Sequence, residues 1–146
     1  MEDYIIQIFT ATIGSLGFAL KFNVKKERII YIAIGCALTW SVYLISFSYE
    51  HDVFLSNAIA AASTTIYAEI FAKIHKAPAT IFLLPSVVPL APGGSLYYTM
   101  SGLVNNNSAM FRKYGNLTIK TACGIAIGII IASVIIKEIK SYKRNK

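Results

Sequence analysis

The sequence predicts an all-α integral membrane protein with five transmembrane helices, the fourth broken at a Pro/Gly-rich segment. Three observations lead there. Of the 146 residues, 55% are hydrophobic and 14% charged, with a mean hydropathy of +0.58, whereas an ordinary soluble domain is about a quarter charged. The apolar residues fall in long runs rather than in alternating or one-faced patterns. All four prolines lie between Pro78 and Pro92. Together these features exclude a typical cytosolic enzyme and a disordered chain.

A bilayer-crossing helix needs roughly 20 mostly apolar residues, because the hydrocarbon core is about 30 Å thick and a helix rises about 1.5 Å per residue. Segments 4–22, 29–48, 53–73, 78–104 and 116–136 meet that length, so residues 1–146 read as one transmembrane domain with a basic tail over 137–146. The first segment is not a secretory signal by this reading. Glu2 and Asp3 stand where a basic region belongs, and the run ends in Lys21, Lys25, Lys26 and Arg28.

Basic residues set the expected orientation. They gather in the first connection, at Lys73 and Lys76 around the third, and at Lys137, Lys140, Lys143, Arg144 and Lys146 in the tail; the second connection has Glu50 and Asp52 instead. Five spans in a cell membrane, with the N-terminus outside and the C-terminus cytoplasmic, put nearly all these cations inside and leave Arg112 and Lys113 outside. The net charge of +7 is thereby explained by topology and the anionic inner leaflet. Nucleic-acid binding is disfavoured, since the charges are divided among connections.

Between helices in lipid, close contact relies on small residues. Gly14 with Gly17, and Gly124 with Gly128 in GxxxG spacing, are the expected packing positions. In the third span, helical spacing puts Leu55, Ile59, Ile66 and Ile70 on a lipid-facing side. Asn57, Ala60, Ala61, Thr64 and Ala68 fall on the side facing protein or a cavity, with Asn57 and Thr64 as candidate cavity-lining groups. Glu69 flanks that side. An intramembrane carboxylate is costly and invites a proton-coupling role; the competing reading is a plain ion pair with Lys73 one turn on.

The fourth segment carries the strongest signal. Pro85, Pro89 and Pro92 each remove a backbone donor and crowd the preceding turn, and Gly93 and Gly94 relax the backbone. Ser95 is the expected N-cap of a second half-helix from Leu96. The expectation is a distorted first part, an unwound Pro-Gly-Gly and a half-helix whose N-terminal amides suit an anionic group. Ser95, Tyr98, Thr99, Gly102 and Asn106 line one side of it. The alternative is a kinked packing helix without a ligand.

Catalytic and cofactor motifs are missing from the sequence: there is no GxGxxG, P-loop, HExxH or CxxC. Cys36 and Cys123 sit in apolar runs and read as small buried hydrophobes. His51 and His75 sit in connections. An enzyme, a cofactor and a metal site are therefore not expected.

The stretch from Pro85 through Ser-Val-Val-Pro89, Leu-Ala-Pro92, Gly93, Gly94, Ser95 and Leu to Tyr97 and Tyr98 resembles the threonine/serine exporter family. The whole chain resembles its small, YjjB-like membrane subunit. The resemblance implies proton-driven export of threonine or serine. It also implies a larger YjjP-like membrane subunit with a soluble domain as partner, a homo-oligomer being the other arrangement. The motif residues Pro89, Pro92, Gly93, Gly94 and Tyr97 then join Ser95, Tyr98 and Thr99 as candidate substrate-binding residues. Related split systems imply a dicarboxylate such as succinate as the alternative substrate, and a non-transporting assembly or scaffold protein is the alternative class. An odd number of spans independently favours pairing with a second, inverted five-span unit.

Overall fold

A computed structural model describes residues 2–144. The side chains of Glu2, Asp3, Lys143 and Arg144 lie outside that description, as do Met1, Asn145 and the last tail cation, Lys146. Among the described residues the regular structure is entirely helical: α1 (Glu2–Lys21), α2 (Lys26–Glu50), α3 (Val53–Ile74), α4 (Thr80–Val87), a 3₁₀ turn (Val88–Leu90), α5 (Gly93–Val104) and α6 (Ser108–Arg144). Four helices are long and apolar enough to cross a membrane, and the bent pair Thr80–Leu90 plus Gly93–Val104 makes a fifth if it counts as one span.

The helices join through short turns, and the turn chemistry explains how. Asn23, Lys76 and Asn106 each adopt a left-handed φ of 53°, 47° and 54°. In each case the following amide reaches back five residues: Val24 N–H to Ala19 O, Ala77 to Ala72, and Asn107 to Gly102, at 3.2, 3.0 and 2.8 Å. This closes the exposed carbonyls at a helix C-terminus. His51 ends α2 in the same left-handed region, with φ 52°. Asp52 then caps α3 by accepting from Phe54 N at 2.8 Å, and the Asn107 side chain accepts from Met110 N at 3.0 Å at the start of α6. Because Asn107 starts it early, α6 is 37 residues long. The connection expected over 105–115 is thus reduced to three residues, and the tail continues as helix.

The central packing is α3 against α2 and α6. Asn57, Ala60, Ala61, Thr64 and Ala68 are buried, while Leu55, Ile59, Ile66 and Ile70 are exposed, as helical spacing predicts. A methyl group on Gly124 would overlap the Phe54 carbonyl, and one on Gly128 the Ala58 backbone. The GxxxG pair therefore lets α6 lie backbone to backbone on α3. Gly14 and Gly17 do not act this way, since a methyl group on either meets nothing within 4 Å. The buried face of α1 is Ser15 and Ala19. Two close approaches escaped the pattern. Gly35 faces Ser86 and Tyr67, and Gly102 faces the Phe111 backbone.

Polar groups knit the interior. Thr39 and Thr64 hydroxyls meet at 2.6 Å across α2 and α3, and each also donates to the carbonyl four residues before it, Gly35 and Ala60, or shares that proton with its partner. The Tyr67 hydroxyl donates to Tyr31 O at 2.7 Å. Cys36 is buried as expected, but Cys123 is exposed on α6.

Candidate functional site

The fourth segment breaks as its prolines require. Pro85 sits inside α4. The Pro85 carbonyl would normally accept from the amide four residues on, but that residue is Pro89, which has none. The Cys36 thiol takes the vacancy, donating to Pro85 O at 3.6 Å. Pro92 likewise leaves Val88 O without its helical donor, and Ala91 N–H fills it at 3.0 Å by tightening into the 3₁₀ turn. The chain then becomes extended at Ala91, with ψ 132°, and the two helical pieces meet at a bend of 55°.

Two details differ from the expectation. Gly93 and Gly94 are not unwound; they form the first turn of α5, and neither has a positive φ. Ser95 is consequently inside the helix rather than its N-cap, and its hydroxyl donates to Pro92 O at 3.2 Å. Pro92 occupies the cap position without a side-chain bond. Gly93 N–H bonds to Ala91 O and Leu96 N–H to Pro92 O, while the amides of Gly94 and Ser95 find no partner among the described residues.

Gly94 and Ser95 belong to the wall of a cleft of about 280 Å³. Pro89, Pro92, Gly93, Gly94 and Ser95 form one side of it. Trp40 and Tyr43, stacked at 5.1 Å, come from α2. Asn57 comes from α3, and Leu117 and Thr121 from α6. Asn57 is 2% exposed and spends its amide N–H on Val53 O at 2.7 Å, which leaves its carbonyl oxygen as an acceptor. Among the described residues no Asp, Glu, Lys or Arg lines the cleft. One wall thus carries the partial positive charge of a helix N-terminus, and another carries two aromatic side chains.

The remaining candidates lie elsewhere. Thr99 donates to Ser95 O and meets Thr118 Oγ1 at 3.4 Å, and Thr118 in turn reaches Ser95 Oγ at 3.0 Å. Tyr98 packs on Tyr114 at 4.9 Å, and Tyr97 is 68% exposed. These three hold α5 on α6 or face outward. Thr64 is sealed in its bond to Thr39. Glu69 is bound not by Lys73 but by Lys140 of α6, at 2.6 Å. It is twelve residues from Asn57 along α3, roughly 18 Å at the helical rise. Trp40, Tyr43 and Thr121 escaped the sequence reading. An indole and a phenol in an apolar run look like core or interface residues until α2 is placed beside the break.

A helical membrane bundle whose broken span borders a small cleft has the architecture of a transporter, since non-helical backbone persists at membrane depth only where protein or a wet cavity receives it. The chain belongs to the family described as Threonine/Serine exporter, ThrE, whose model matches residues 7–135. No curated protein and no solved structure matches it. Membership makes it a multi-pass membrane transporter of the exporter type with a small-molecule substrate, and places it in a family of transporters, not enzymes.

Proposed function

We propose that the chain is the membrane unit of a secondary exporter for zwitterionic amino acids, threonine or serine first, working with a second, larger membrane subunit. The observation that carries this reading is the cleft, whose lining includes the α5 N-terminus with its two unpaired amides and the stacked Trp40–Tyr43 pair. The amides suit a carboxylate. The Trp40 and Tyr43 faces suit an ammonium. The Asn57 oxygen and Thr121 hydroxyl suit a side-chain hydroxyl. The volume falls just below the roughly 300–1,000 Å³ typical of drug-sized ligands, in keeping with a small solute. A dicarboxylate, the alternative substrate, would bring a second negative charge to a wall without a cation, which is why the amino acid is preferred.

Alternating access would turn on the bend at Ala91–Pro92. The inside placement of the first and third connections and the tail is supported by their sharing one end of the bundle. Phe22 and Val24 line a cavity with Thr80 and Ile81, and Glu69 near the third connection holds Lys140 of the tail. Proton coupling through Glu69 would require that ion pair to open and close during the cycle.

Efflux of radiolabelled threonine and succinate, compared in cells with and without both subunits, tests the reading. Threonine efflux that depends on this chain is the expected result. Succinate efflux alone would replace the substrate, and no flux of either would leave a scaffold role. In the same assay Glu69→Gln should abolish the dependence on a pH gradient; an unchanged dependence removes Glu69 from the coupling.

A further inference from the structure

A greasy groove and a basic cleft meet along the α3–α6 seam, at the end of the bundle away from the transport cleft. The groove, about 180 Å³, lies between Ile66 and Ile70 of α3 and Ile136 and Ile139 of α6. It ends at Glu69, Lys73 and Lys140. These same three residues line a wider cleft of about 440 Å³, which continues over Lys76 and the turn at Ala77–Ala79. The left-handed cap at Lys76 folds the chain back there, with Lys76 N–H donating to Lys73 O at 3.4 Å, so both lysines border one cleft.

The charges do not cancel. Three lysines surround one carboxylate. Glu69 neutralises Lys140, and Lys73 and Lys76 are exposed and form no ion pair among the described residues. A surplus of two positive charges therefore sits at the mouth of an apolar groove whose isoleucines are half exposed. A soluble anion would have no use for the groove, and a neutral lipid none for the lysines. A molecule with an anionic head on an acyl chain uses both. Lysine stems can cover apolar surface while their ammonium groups reach the headgroup level.

We propose that this junction is a binding site for an anionic phospholipid. Its phosphate lies between Lys73 and Lys76, and one acyl chain lies in the isoleucine groove. The Glu69–Lys140 pair fastens the two helices at the point where head and chain divide. The inference does not depend on what is transported: it shares only Glu69 and its bond to Lys140 with the proposed transport cycle, and lipid retention is read without any flux. Anionic lipid attracted to basic residues at the cytoplasmic end of a bundle is physically ordinary; what is particular here is the built groove beside them.

The test is native mass spectrometry of the purified full chain in detergent, offered equal amounts of phosphatidylglycerol and phosphatidylcholine with identical acyl chains. Phosphatidylglycerol should be retained roughly thirtyfold over phosphatidylcholine, in line with two basic contacts. Lys73→Gln with Lys76→Gln should bring the two lipids to near parity, and Ile70→Trp should reduce retention of both by filling the groove. Glu69→Gln, which leaves Lys140 uncompensated, should raise the preference for phosphatidylglycerol, and so gives a reading even if the double variant fails to fold. Inorganic phosphate should not displace the lipid. Equal retention of both lipids by the unmodified chain, an unaltered preference in the folded variants, or displacement by phosphate alone would overturn the proposal.

Discussion

Two pairs of glycines in this protein do opposite things. Gly124 and Gly128 are sealed against the α3 backbone, with no room for even a methyl group, while Gly93 and Gly94 border a cleft and have nothing within 4 Å of where a methyl group would stand. The first pair exists so that two helices can touch. The second opens a helix onto an empty volume. Open space alone does not mark such a place, since Gly14 and Gly17 are equally open; what sets Gly93 and Gly94 apart is the cleft that they border.

The comparison breaks most visibly at the sealed pair. Gly128→Leu should prevent assembly of α6 on α3, because the new side chain would occupy the Ala58 backbone. Overpacking costs about 1–3 kcal/mol even where side chains can yield, and backbone yields less, so little monodisperse protein should be recovered on size-exclusion chromatography. Gly94→Leu should do the reverse. Thermal unfolding in detergent should be close to that of the unmodified protein, while amino-acid efflux falls at least about tenfold, as expected when a bulky group fills the site that orients a solute. Normal flux in a folded Gly94→Leu protein would remove the cleft from the mechanism.

Smaller effects sharpen the contrast. Thr39→Val deletes the interhelical hydroxyl bond to Thr64 and should lower stability by about 1 kcal/mol, the usual worth of such a bond in a bilayer. Thr64 keeps Ala60 O as a partner, so no hydroxyl is stranded. Cys36→Val should cost roughly 0.5–1 kcal/mol by leaving Pro85 O unpaired, whereas Cys36→Ser should recover most of it. Equal stability of the two Cys36 variants in a thermal melt would show that the thiol serves only as a hydrophobe.

What the sequence made legible was local. Run length found the helices, spacing found both faces of α3, and three prolines found the break, because each of these depends on neighbours within a turn or two. The cleft was half legible: Pro89 to Ser95 and Asn57 could be named, but Trp40, Tyr43 and Thr121 come from other helices, and no period in α2 or α6 marks them. Glu69 illustrates the same limit. Its nearest cation in sequence is Lys73, yet it bonds Lys140, 71 residues away, because α6 runs beside α3 and brings its far end to that level. Ser95 failed as a cap for a different reason. Pro92 has a fixed φ that is already suited to a helix entrance, so α5 could begin earlier, at Gly93.

The length of α6 has a consequence for where the tyrosines sit. Its 37 residues span roughly 55 Å, against about 30 Å of hydrocarbon, while the 22 residues of α3 span roughly 33 Å. With Gly124 beside Phe54 at the start of α3 and Lys140 beside Glu69 near its end, the surplus falls mainly on the first turns of α6, the part that carries α5. This hairpin arm carries Tyr97, Tyr98 and Tyr114, and a ring with a hydroxyl tip is at home between oil and water. Rings of this kind at a bilayer surface would moor the arm at one height, a task separate from gripping a cargo.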